Sequence, residues 1–227
     1  MSRIVLANWK ASLAPERALA WCDTFSAAYT PRSGLEVVLA VPALVMDRVH
    51  QRLGALAGVS LAAQGISPFP QGSYTGSLPA AWLRDTAKYA LIGHRERRQY
   101  FHETVQDVAR QGYEALAEGL QPIVCVDNEL LTRQAAAFAR EEMEQLLWAW
   151  TPETPVALEM ARTLDDIAAQ VAQVARKTEG KGVLYGGGVT PDNGGAIWTL
   201  KGVSGILLGQ GSLDAEKFAA LVNRLPV

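Results

Sequence analysis

A carboxylate closing an apolar run, a histidine behind a glycine, a lysine two residues after an asparagine and two glycine-rich turns are this chain's strongest offers of chemistry. Glu159 ends Val156-Ala157-Leu158, where a charge costs free energy unless it has a partner or a task. Burial beneath a ligand would lift its pKa toward that of a general base. His94 follows Ile92-Gly93 and opens the charged turn Arg95-Glu96-Arg97-Arg98. A helix N-terminus disfavours imidazolium, so His94 is expected to stay neutral and to polarise a carbonyl or shuttle a proton. Asn8 and Lys10 share one side of the first strand by alternation, and Lys10 could neutralise an anion. Gly186-Gly187-Gly188 and Gly209-Gln210-Gly211-Ser212 offer backbone N–H groups to a phosphate. Together these groups suit proton abstraction next to the carbonyl of a phosphorylated substrate. Each also has a plainer reading: Glu159 paired with Arg95 or Arg97, a structural histidine, a solvated lysine, and glycines that only permit tight turns.

Residues so far apart in sequence need a scaffold that gathers strand ends. Short Val, Ile and Leu-rich runs predict strands at Arg3 to Ala7, Leu35 to Ala40, Val59 to Ala63, Tyr89 to Gly93, Gln121 to Val126, Pro155 to Glu159, Gly182 to Gly186 and Gly205 to Leu208. Helical segments are predicted between them: Ala14 to Tyr29, Ala43 to Leu53, Ala80 to Thr86, Thr104 to Glu118, Glu129 to Ala149, Thr163 to Lys177, Thr190 to Thr199 and Asp214 to Asn223. Thr190-Pro191 and Ser212 or Asp214 are expected to cap the last two. Runs without in/out alternation favour a parallel sheet covered on both faces. Eight βα units with no GxGxxG after the first strand favour an α/β closed eight-stranded parallel (β/α)8 barrel over an open sheet. In such a barrel chemistry sits where strands end, which is where Asn8, Lys10, His94, Asp127, Asn128, Glu159 and the glycine turns fall.

Length and composition agree with one domain spanning residues 1–227. The chain is 49% hydrophobic and 19% charged with net charge −2, so it carries no electrostatic footprint for nucleic acid. No apolar run is long enough to span a bilayer, and the N-terminus lacks a secretory pattern. Cys22 and Cys125 are expected as small buried thiols in a reducing compartment, which places the chain in the cytoplasm.

The motifs resemble those of triosephosphate isomerases. Ala7-Asn8-Trp9-Lys10 is similar to the family's Asn-x-Lys start, and Gly93-His94-Arg95-Glu96-Arg97-Arg98 to its Gly-His-Ser-Glu-Arg-Arg segment. Tyr185-Gly186-Gly187-Gly188-Val189 resembles Tyr-Gly-Gly-Ser-Val, and Gly209-Gln210-Gly211-Ser212-Leu213 resembles the final phosphate turn. The resemblance implies the TIM barrel named after this family and a cofactor-free, metal-free isomerase of glycolysis and gluconeogenesis. In it Glu159 would be the base, His94 the electrophile, Lys10 the electrostatic anchor and Glu96 its support. Asn8, Lys10, Gly187, Gly188, Gly209 and Gln210 would hold the substrate, a small phosphorylated sugar. Gly65 to Ser77, with Tyr74-Thr75-Gly76, resembles the docking loop through which the family's homodimers form; a free loop is the alternative.

Four departures shape the expectations. Arg95 stands where the family has Ser, Gln210 where it has Gly, and Gly188 where it has Ser. Only Met160, Ala161 and Arg162 separate Glu159 from the helix expected at Thr163, so a full closing lid is not expected. A lid-less site would bind substrate weakly and let the enediolate lose phosphate as methylglyoxal. Arg95 is expected to compensate, by contacting the phosphate or by holding Glu159. An isomerase for another small phosphosugar, such as a tetrulose phosphate, and a non-catalytic phosphate-binding barrel stay open beside the triose reading.

Overall fold

The computed structural model describes residues 2–152 and 163–226. Eight parallel strands close into a barrel in sequence order: β1 Arg3–Asn8, β2 Leu35–Val41, β3 Val59–Ala63, β4 Tyr89–Ile92, β5 Gln121–Val126, β6 Leu147–Trp150, β7 Gly182–Tyr185 and β8 Val203–Leu208. Closure runs through β1 and β8, with Ile4 opposite Gly205 and Ala7 opposite Leu208. Helices α1 Pro15–Ala28, α2 Ala43–Leu53, α3 Arg95–Tyr100, α4 Val105–Ala117, α5 Leu131–Ala135, α6 Arg140–Met143, α7 Leu164–Thr178 and α8 Gly194–Trp198 lie between strands, and α9 Ala215–Arg224 follows β8. The expected helix at Ala80 to Thr86 is a single 3-10 turn, Ala80–Leu83.

Two layers of apolar side chains follow from strand alternation. Ile4, Leu6, Val38, Ala40, Ala62, Leu91, Ile123, Cys125, Leu147, Ala149, Leu184 and Leu207 form the inner cluster, and the intervening residues pack outward against helices. Cys22 and Cys125 are free and buried, and burial pushes both thiols up to about 12.

The sixth strand lies elsewhere than the sequence predicts. Leu147–Trp150 pairs with Ile123–Val126 on one side and Gly182–Tyr185 on the other, so it completes the barrel where Pro155 to Glu159 was expected. The helix expected at Glu129 to Ala149 is instead two short helices followed by this strand. Leu-Trp-Ala-Trp satisfies a strand better than a helix: Leu147 and Ala149 are small enough for the interior, while the bulky Trp148 and Trp150 pack outside. Trp148 meets Phe138 edge-on at 5.9 Å, and Trp150 leans on Tyr185 at 5.4 Å.

This moves the exit of β6. Residues 151–163 connect β6 to α7, so the three-residue exit, and with it the basis for expecting a missing lid, does not hold. Glu159 and residues 160–162 lie outside the described residues. Thr163 caps α7, its hydroxyl accepting from the Asp166 N–H at 3.2 Å. Asp214 caps α9 as expected, whereas α8 begins later than Thr190-Pro191, with Asn193 at its N-cap.

Candidate active site

At the C-terminal mouth, alternation turns Asn8, Gln64, Asp127, Thr151, Gly186 and Gly209 inward, each two residues beyond an inner-layer side chain. Lys10 follows the turn out of β1 with φ 51°, a left-handed conformation that costs a non-glycine residue free energy. The turn is held from both sides. Asn8 Oδ1 accepts from Lys10 N at 3.1 Å, and Gln64 Nε2 donates to the carbonyls of Lys10 at 3.0 Å and Ala40 at 2.9 Å. Gln64, absent from the sequence-based candidates, is what locks this turn. Its signal was only an amide directly after an apolar strand.

Lys10 Nζ reaches Glu96 Oε1 at 2.5 Å. A Cβ built on Gly209 would lie 4.0 Å from the same ammonium, so the lysine stands between Glu96 and the strand-eight turn. His94 is the N-cap of α3, and its Nδ1 accepts from the Glu96 N–H at 3.2 Å. The ring is therefore neutral with its proton on Nε2. Burial is the main cause that pushes its imidazolium down to about 4; Glu96 opposes the shift, and Lys10, Arg98 and Arg95 add to it.

A pH prediction follows, with a definite sign. Because the folded value lies below the usual 6.5, the native state binds fewer protons than the unfolded chain between those values. The stability this group contributes is complete above about pH 6.5 and drains away as pH falls toward 4. Imidazole ¹⁵N shifts should report an Nε2–H tautomer still neutral at pH 5, and a titration midpoint above 6 would rule this out.

The two glycine turns lie side by side: a Cβ on Gly211 would sit 3.0 Å from the Val189 carbonyl, and one on Gly186 3.2 Å from Leu207 Cβ. Gly188 has φ +61°, and Gly209 leads into a 3-10 turn over Gln210–Ser212. Gly188 and Gln210 are exposed at the rim, and the buried Ser212 hydroxyl donates back to the Gly209 carbonyl at 2.7 Å. Arg95, at the first position of α3, is half-buried beside His94.

The β6 exit brings Thr151 and Pro152 against this region. A Cβ on Gly186 would fall 3.0 Å from Thr151 Cγ2, and one on Gly187 only 2.6 Å from Pro152 Cγ. Thr151 is 7% exposed; its N–H donates to the Val126 carbonyl at 2.8 Å and its hydroxyl to the same oxygen at 3.3 Å. The end of β6 thus presents a hydroxyl where a carboxylate was expected. Among the described residues no three His, Cys, Asp or Glu side chains converge as metal ligands would.

A lysine–glutamate pair, a neutral histidine and paired glycine turns share one barrel mouth. The sequence profile described as triosephosphate isomerase matches residues 3–159 and 147–225. The chain belongs to the triosephosphate isomerase family. A triosephosphate isomerase of Deinococcus radiodurans is 31% identical over 245 residues, covering 99% of this chain and all of that relative. One from Xanthomonas euvesicatoria pv. vesicatoria is 34% identical over 246 residues, covering 97% of each. The solved triosephosphate isomerase from Bartonella henselae superposes with a TM-score of 0.83 at 25% identity, covering 99% of this chain and all of that one. The two profile matches overlap at residues 147–159. One match ends at Glu159, and the other begins at Leu147, the first residue of β6.

Proposed function

We propose that this chain is an aldose–ketose isomerase that interconverts glyceraldehyde 3-phosphate and dihydroxyacetone phosphate through an enediolate. The observation that carries this reading is the fixed Nε2–H tautomer of His94, beside a lysine tied to Glu96. A neutral imidazole can donate to the substrate carbonyl and take the proton back without the cost of forming a buried cation. Lys10 supplies positive potential where the enediolate develops charge, and Asn8 holds the lysine's turn. The backbone N–H groups of Gly187, Gly188, Gly209 and Gln210 would hold the phosphate dianion. Arg95 supports the site by adding positive potential beside His94. Family membership supports the phosphorylated triose as substrate, since the relatives are named for it.

The base is assigned to Glu159, which belongs to the 13-residue connection between β6 and α7. Cytoplasmic residence in central carbon metabolism completes the reading; no helix among the described residues is long and apolar enough to cross a membrane. A homodimer is also part of it. The loop at residues 65–77 projects an exposed tip, stiffened where Phe69 stacks on Tyr74 at 4.6 Å. At its base is a cavity of about 630 Å³, lined by Ala43, Met46, Arg97, Phe101 and Glu103, wide enough to take such a tip from a second copy.

The test is a coupled assay of glyceraldehyde 3-phosphate against four-carbon aldose phosphates. The triose should be turned over with kcat/KM at least about tenfold higher, since each extra group a pocket must reject is worth roughly 1–3 kcal/mol. Preference for the tetrose would favour the second isomerase reading, and no turnover of either would favour a binding barrel. Sedimentation equilibrium of the same preparation decides the dimer, which a monomer mass would exclude.

A further inference from the structure

A second set of charges at the mouth pairs Arg98 of α3 with Asp127, the residue directly after β5. The Arg98 side chain is 12% exposed and that of Asp127 only 1%. Arg98 Nη2 donates to Asp127 Oδ2, while Nη1 donates to the Gly93 carbonyl and, at 3.3 Å, to that of Cys125. Asp127 Oδ1 accepts from the Leu130 N–H at 2.9 Å, so both carboxylate oxygens are engaged and neither is free to act as a base. The Arg98 N–H donates to the His94 carbonyl at 3.2 Å.

Gly93 needs holding. It has φ +66°, and a Cβ there would come within 3.0 Å of Val108 and 3.3 Å of the Cys125 carbonyl. The peptide that it shares with His94 sets where the imidazole points. A planar guanidinium can bond two carbonyls and a carboxylate at once, which an ammonium cannot do with the same geometry. Without Asp127 the guanidinium would be left buried and uncompensated, and would leave for solvent.

We propose that Asp127 is a positioning residue for His94: by holding Arg98 on the Gly93 carbonyl, it fixes the turn that aims the imidazole into the barrel mouth. The kinetic part of this proposal rests on the isomerase reading; the geometric part does not.

Asp127→Asn keeps the shape and the acceptor for Leu130 while removing the charge. It should lower kcat by about ten- to a hundredfold, the scale of an ångström-level misplacement, with KM held within about twofold. In a His94→Gln background the same substitution should cost nothing further, because the two act as one unit. Arg98→Lys, which retains the buried cation but loses the fork, should repeat the pattern if Asp127→Asn folds poorly. The His94 imidazole ¹⁵N resonances and the Glu96 amide should shift in both variants, whether or not the protein turns over substrate. A kcat within twofold of the parent, or an equal loss in the His94→Gln background, overturns the kinetic claim. Unmoved His94 and Glu96 resonances overturn the positioning claim itself. A parent protein without isomerase activity would remove the isomerase reading and leave the resonances to decide.

Discussion

Glu159→Gln should lower kcat about a thousandfold, whereas Glu153→Gln should change it less than about threefold, if only the first of the two carboxylates is the general base. The reason begins with Thr151. It occupies the inward position at the end of β6, and its hydroxyl donates to the Val126 carbonyl at 3.3 Å. An alcohol with a pKa far above neutrality cannot take a carbon-bound proton, so the isomerase proposed above takes its base from the connection between β6 and α7. That connection holds two glutamates, Glu153 and Glu159. Glu159 closes the apolar run Val156-Ala157-Leu158, the sequence setting that suits a general base, while Glu153 sits in Pro-Glu-Thr-Pro. Steady-state kinetics of the two variants separates them. The reverse pattern would give the role to Glu153, and two active variants would show that neither residue is the base.

Gly205→Ala is the second large effect, on stability rather than rate. A Cβ at Gly205 would lie 2.3 Å from the Ile4 carbonyl and 3.0 Å from Leu184 Cγ, at the seam where β8 closes on β1. The near neighbour is backbone, so no side-chain rotation relieves it; either the seam opens or the strand shifts. The cost should be about 3 kcal/mol or more, at the upper end for overpacking. A protein of this size should then lose roughly 6–12 °C in Tm. Gly195→Ala is the matched control. Nothing lies within 4 Å of a Cβ there, and alanine favours α8, so Tm should hold or rise. Equal melting temperatures for the two variants would refute the seam argument.

Much of the barrel was legible in the sequence because parallel strands buried on both faces read as continuous apolar runs. Seven of the eight strands lie within a few residues of their predicted places. The sixth was missed for a physical reason. Leu146 to Trp150 is as apolar as any strand, but it follows the charged stretch Arg140 to Glu144, and together they mimic one amphipathic helix. Pro155 to Glu159 then offered a second strand-like run that ended in an attractive carboxylate. Local pattern cannot choose between two such runs; pairing with β5 and β7 does. The Lys10, Glu96 and His94 cluster was legible because each residue is tied to a strand end. Gln64 and the Arg98–Asp127 pair were not, because hydrogen bonds to distant carbonyls leave no trace in spacing.

The connection after β6 is fastened at both ends. Thr151 and Pro152 are pressed onto Gly186 and Gly187 at one end, and Thr163 caps α7 at the other. Two fixed posts make the chain between them a replaceable cassette. Closing a loop becomes costlier only with the logarithm of its length, so doubling this one would cost only about 0.6 kcal/mol. Insertions and deletions can therefore accumulate here while the barrel keeps its register, and the chemistry at its mouth can be retuned by exchanging one short stretch of sequence.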